Sequence, residues 1–266
     1  MNSVNFPLPQ QNYGGLKLPL VCVTPFGTIS ILMAHNINIE LSVDKSIRVV
    51  CWDKFAVSSS QKCVKSGILH PFGHILQDGD KIGCHFQPQN DPITLAKMAV
   101  VGTPGVIFSM SHLKDAFLVS SRGTSALPMD RFQFPTLRYD FTMRQFYSSA
   151  QMGSEFLFAC NNIVQRARYD EKEGMLFTLN INGFLIRQRL NGDVEIFCRP
   201  RQIICSPELS TVHLRTANVE MEVQTDKKAY VKYGSKRVHV SRSGMVVSNE
   251  NCSASMDHIG RIVSAS

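Results

Sequence analysis

The chain has 266 residues, 44% of them hydrophobic and only 18% charged, and its 28 basic and 21 acidic side chains give a formal net charge of +7. That balance excludes intrinsic disorder, which needs low hydrophobicity and high net charge, and neither a Gly triplet nor a heptad runs through the chain, which excludes collagen and coiled coil. No run of about 18 apolar residues is present and Met1–Asn12 lacks the basic and apolar regions of a signal peptide, so an intracellular protein without a transmembrane helix is expected.

Taken in chain order, the elements are mostly strands. Ile37, Ile39, Leu41 and Val43 alternate with Asn38, Glu40 and Ser42. Period two puts apolar residues on one face and polar residues on the other, as in half-buried antiparallel strands. Turn signals Pro25-Phe26-Gly27, Pro71-Phe72-Gly73 and Asp78-Gly79 separate the first such runs. Residues 86–105, with Pro88, Pro92 and Pro104, and residues 121–137, with Gly123, Pro128 and Pro135, read as linkers. Phe156, Ala159, Cys160, Ile163, Val164 and Ala167 then follow helical spacing, which predicts a helix over 154–168 capped by Ser154.

Alternation resumes at Leu179–Asn182, Val212–Arg215, Val219–Gln224 and Val238–Ser241, punctuated by Asn182-Gly183, Asn191-Gly192 and Ser243-Gly244. Asn-Gly tolerates the positive φ angles of tight hairpins. The expected fold is mainly β, with antiparallel hairpins and meanders in two parts. These are an N-terminal β-hairpin part (1–120), an irregular linker with the helix (121–169), and a C-terminal β-meander (170–266).

No enzyme is expected, and no catalytic, cofactor-binding or metal site. Cys63, His70, His74, Cys84 and His85 are zinc-ligand types, but they lack a Cys-x-x-Cys and read as turn or strand-face residues. Cys198 and Cys205 read as inward side chains on neighbouring strands, and the eight cysteines suit a reducing compartment as free thiols. Gly-x-Ser-x-Gly, Gly-x-x-x-x-Gly-Lys and Gly-x-Gly-x-x-Gly are all missing. Asp44, Asp53, Asp78, Asp80 and Glu195 are scattered as in solvated turns.

The charge pattern offers a partner-binding run: Lys227, Lys228, Lys232, Lys236, Arg237 and Arg242, interleaved with Tyr230 and Tyr233. Such a run can grip an acidic protein surface, hold nucleic acid by phosphate contacts and base stacking, or simply solvate a sheet. A second basic set, Arg187, Arg189, Arg199 and Arg201, surrounds a hairpin.

Tyr230–His239, Val246–Asn249, Cys252–Ala254 and Asp257 resemble the closing repeats of the sperm-associated antigen 17 family, large structural proteins of the ciliary central-pair apparatus. Leu185–Cys198 and Ile68–Ile82 share the same strand, Asp/Asn-Gly turn, strand grammar. The resemblance implies a non-enzymatic scaffold of the axoneme in a motile cilium or sperm flagellum, without membrane association. It implies central-apparatus proteins and microtubules as partners, met through sheet faces and edges. The alternative reading is a nucleic-acid-binding β module using 227–242.

Overall fold

The computed structural model describes residues 3–4, 12–13, 16–87, 95–128, 132–135, 137, 140–170 and 173–265. Among these the strands form a 13-stranded sheet from Ser3 to Pro128, a 12-stranded sheet from Arg168 to Ala265, and a two-stranded hairpin at 12–17. In each large sheet, sequence neighbours are sheet neighbours, with the hairpin set aside. The fold is thus the mainly β, antiparallel meander that the alternation predicts. Ile37–Leu41 shows the alternation directly, with Ile37, Ile39 and Leu41 buried and Asn38 and Glu40 half-buried.

The predicted turns are built as hairpins. Asn182 (φ 51°) and Gly183 (φ 79°) form a two-residue turn between Met175–Ile181 and Phe184–Arg189. Both residues need the left-handed region, which Asn and Gly enter at least cost.

The helical region departs from expectation. Ser154–Phe156 is a 3-10 turn and the α-helix spans only Leu157–Gln165 (α2), with no side-chain cap from Ser154. The chain re-enters a sheet at Arg168–Asp170, opposite Thr178–Asn180, so 166–168 is not helical. A further helix, Phe141–Ser149 (α1), lies inside the stretch expected to be irregular. Gly123–Pro128, read as linker, pairs with Asp115–Ser120 as a strand. Lys97–Gly102, inside the other linker stretch, is also a strand, while Pro88 and Pro92 lie outside the described residues.

The chain forms two compact units: 1–66 with 142–212, and 67–141 with 213–266. In the first, inward residues such as Ile31, Ile39 and Val57 of one sheet and Phe177, Leu179 and Ile186 of the other are fully buried. Burying one such side chain stabilises by about 1.5–3 kcal/mol. Asn182 Nδ2 donates to Ser42 O at 3.2 Å and Gln188 Nε2 to Ala34 O at 3.1 Å, tying the layers together. α1 covers the outer face of Ile47–Cys51 and Phe55–Ser59, whose residues are therefore all buried. Two hydrogen bonds join it there: Arg48 Nε donates to Thr142 Oγ1, and Ser58 Oγ to Gln145 Oε1.

In the second unit, strands spanning 97–128 approach strands spanning 236–257 closely. On its outer face Pro135 fills the space above Gly83, where a Cβ would come within 2.5 Å of Pro135 Cγ. His74 Nδ1–H donates to Leu137 O and fixes the same segment.

Candidate interaction surface

Strand register sorts the basic run onto different faces. Lys232 lies on Ala229–Tyr233, flanked across the sheet by Glu220 on one side and Arg237 on the other. Lys232 and Arg237 stand on the outward face, since Val231 and Val238 are buried. Lys236 belongs to the opposite face and sits 5.9 Å from the Tyr233 ring centroid. Lys228 is exposed and pairs with Asp226. Lys227 takes φ 65° in the same turn, and its charge joins burial in lowering the pKa of Lys97, which is 4% exposed. Arg242 is exposed in the turn before Gly244–Asn249. Period two and neighbouring acids therefore divide the six cations, and they do not form one continuous track.

The outward face instead carries a row the charge pattern did not reveal. Glu222 lies opposite Tyr230, Tyr230 opposite His239, His239 opposite Val246, and Val246 opposite Ser255. The Tyr230 and His239 rings are 4.5 Å apart, centroid to centroid, at 40°. This row floors a groove of about 710 Å³ bordered by Lys228, Arg237, Asp257 and Val263. Val246 is 49% exposed and Val263 69% exposed, so apolar surface faces solvent there. Burial and the Arg237 charge lower the pKa of His239, keeping its ring uncharged near neutral pH. Burial and the Glu222-side neighbour Glu220 raise the Tyr230 phenol.

The groove's charged and hydroxyl groups are mostly engaged. Asp257 accepts the amides of Ile259 and Arg261 at 3.0 and 2.9 Å, which lowers its carboxyl pKa. Ser241 and Ser243 hydroxyls meet at 2.8 Å. What faces solvent is an aromatic and aliphatic stripe with cations on its flanks. Its signal in the sequence is weak, because Tyr230, His239 and Val246 belong to three strands and only register aligns them.

The remaining sequence candidates have structural settings. His70 Nδ1 accepts the Phe72 amide at 3.0 Å within its turn, Cys84 faces the core, and its neighbour His85 points the other way, opposite His74. Among the described residues no three His, Cys, Asp or Glu side chains converge. Cys198 and Cys205 lie at opposite ends of one strand pair, opposite Arg201 and Val194 respectively, and both are free thiols. In the second basic set, Arg187 pairs with Glu195 at 3.7 Å and Arg201 is buried. Among the described residues no helix is long and apolar enough to cross a membrane.

No curated protein matches the sequence. Solved structures similar to the chain include the wild-type TCP10 domain of Danio rerio CPAP, 11% identical, with TM-score 0.27, covering 92% of this chain and 98% of that one. The same domain in complex with a peptide of Danio rerio STIL is 8% identical, with TM-score 0.17, covering 90% of this chain and 98% of that one. A family model described as "Domain of unknown function (DUF8796)" matches residues 19–266, and the chain belongs to that family.

Proposed function

We propose that the chain is a non-enzymatic interaction domain that scaffolds protein partners in the axoneme of a motile cilium or sperm flagellum, at the central-pair apparatus. The observation that carries this reading is the outward Tyr230–His239–Val246 row in its groove, with Tyr230 half-buried and His239 and Val246 exposed. Neutral aromatic and aliphatic side chains set among flanking charges suit a protein surface, where a buried apolar centre and a polar rim are the usual anatomy. The axonemal placement rests on the resemblance of 230–257 to the closing repeats of sperm-associated antigen 17. Most of the residues that carry that resemblance fall on four of the strands that line the groove. Nucleic acid is the weaker reading, because Asp226 and Glu220 interrupt the cations and Lys236 stands on the other face.

The test is localisation of a tagged chain in flagellated cells after detergent extraction, beside a Tyr230→Ala, Val246→Asp double variant. The parent should remain with the axoneme and the variant should be released. Loss of the parent into the soluble fraction, or equal retention of both, would reject the proposal.

A further inference from the structure

A second concavity, of about 580 Å³, lies in the first unit and is lined by four cations: Lys45, Arg166, Arg168 and Arg199. No carboxylate is among its lining residues. Among the described residues none of the four cations is in an ion pair. All four are exposed.

Local structure positions each of them. Lys45 takes φ 68° in the turn between Ile37–Leu41 and Ile47–Cys51. Asn182 Nδ2 donates to Ser42 O and Val43 O, at 3.2 and 3.3 Å, and fastens that turn to the Asn182-Gly183 turn. A Cβ at Gly183 would come within 3.2 Å of Lys45 Nζ, so the glycine leaves the ammonium its place. Arg166 is the C-cap of α2, Arg168 stands opposite Asn180, and Arg199 occupies the turn after Val194–Cys198. Asp170 accepts from Asn180, and Asp44 from Ser42 and Ser46; these neutral donors leave both carboxylates charged, and neither acid lines the hollow. Arg201, 3% exposed, adds a fifth positive charge in the same unit and donates to the carbonyls of Ser59, Ser60 and Lys45.

Four like charges held around one hollow repel one another unless an anion sits among them. Guanidinium forks match the oxygens of phosphate, as they do those of a carboxylate, in a planar, two-pronged way that the point charge of a lysine cannot. Three arginines and a lysine exceed what one phosphate needs, and the volume is that of a small-molecule site, roughly 300–1,000 Å³. Phe197, 38% exposed, forms part of the wall and offers a ring for an attached aromatic group. We propose that this pocket binds a compact polyphosphate, either the bare inorganic chain or a nucleoside polyphosphate.

The test is calorimetric titration of the full chain with inorganic tripolyphosphate, with ATP, and with sulfate at matched ionic strength. Tripolyphosphate should bind one to one, with sulfate at least about tenfold weaker, and Arg166→Glu with Arg199→Glu should weaken it roughly tenfold or more, as expected for losing a charge-assisted hydrogen bond. Lys232→Glu with Arg237→Glu makes the same change in net charge on the other unit and should bind as the parent does. Tighter binding of ATP, lost in Phe197→Ala, identifies the nucleoside form; equal or weaker binding identifies the inorganic chain. Absence of saturable binding, equal affinity for sulfate, equal weakening by the Lys232/Arg237 pair, or tighter binding of a Glu-rich peptide would each overturn the proposal.

Discussion

Arg201 Nη1 donates to Ser59 O at 2.8 Å, a bond that joins the second sheet to the first within one unit. The same guanidinium reaches Lys45 O at 2.8 Å and lies 5.4 Å from the Phe184 ring centroid. Burial lowers the Arg201 pKa, yet a guanidinium stays charged because its ordinary value is so high. Its two Nη atoms are held by carbonyls while Nε has no hydrogen-bond partner among the described residues, and a buried charge is costly to strip of the partners it has. Arg201→Leu should therefore lower the unfolding free energy by about 2–4 kcal/mol, since it removes a donor from the carbonyls of Ser59, Ser60 and Lys45. Urea denaturation would measure the loss, and an unchanged midpoint at unchanged slope would count against it. Arg201→Lys should recover only part of the stability, because one ammonium cannot reproduce the fork.

Tyr147 and Arg48 share Glu40. The phenol donates to Glu40 Oε1 at 2.9 Å, and Arg48 Nη1 lies 2.8 Å from Oε2. Burial first, then the charge and hydrogen bond of Glu40, push the phenol up to about 12 from its ordinary 10, with Arg48 opposing. A folded-state pKa above the unfolded one favours the protonated form in the folded state. The resulting stability is complete below pH 10 and is lost as pH rises towards 12. Tyr147 is 38% exposed, so solvent screening makes that contribution small. Ultraviolet titration of the folded chain should show one phenolate with a midpoint near 12 that vanishes in Tyr147→Phe. A titration curve that Tyr147→Phe leaves unaltered would contradict the bridge.

His74 gives the opposite pH dependence. Its ring is largely buried against Phe141, 6.1 Å between centroids, and burial lowers its pKa below the ordinary 6.5 despite the bond to Leu137 O. The unfolded chain therefore takes up a proton first as pH falls. Stability is full above 6.5 and declines as pH falls from there through the folded-state pKa. His74→Phe should flatten this part of the profile and release Leu137, which amide exchange there would report. The same slope in parent and variant would assign the acid loss to another group.

Much of this architecture is legible in the sequence, and the failures have physical causes. Strands with one solvated face, such as Val219–Val223, announce themselves by alternation. Phe55–Ser59 does not, because α1 covers its outer face and every position is buried. α1 itself was hidden because the residues it turns inward include Thr142 and Gln145, polar groups that bond to Arg48 and Ser58. Phe141 and Phe146 are buried as well, but with Thr142 and Gln145 beside them the inward face is only half apolar, too weak a periodic signal to read. The helix at 154–168 was overextended at both ends, since Ala167 continues the apolar spacing although its neighbour Arg168 already pairs with Asn180. Of the two surfaces, the six-cation run was visible and then divided by period two. Arg166 and Arg168 lie two residues apart, but Lys45 and Arg199 are far from them in the chain and only the fold brings the four together; of these only Arg199 belongs to a basic set read from the sequence.

Gly27 and Gly79 separate two costs of adding a side chain. Gly27 has φ 69° and Gly79 φ 64°, so alanine at either enters the left-handed region, at about 1–2 kcal/mol. At Gly79 nothing lies within 4 Å of the new Cβ. At Gly27 the Cβ would lie 2.0 Å from Gly153 O, a backbone atom that cannot swing away. Gly153 is held there because its amide donates to Phe26 O at 2.7 Å, while the Cys160 thiol of α2 donates to Gly27 O at 3.2 Å. Relieving the clash must break one of these ties and loosen α2. Gly79→Ala should therefore shift the urea midpoint by the conformational cost alone, and Gly27→Ala should cost roughly 2 kcal/mol more, the range of a lost buried contact with strain. Raised reactivity of Cys160 towards a thiol reagent in Gly27→Ala, absent in Gly79→Ala, would locate the damage at α2. Equal midpoints for the two variants would show that the turn at Gly27 can move without cost, and that Gly153 does not anchor it.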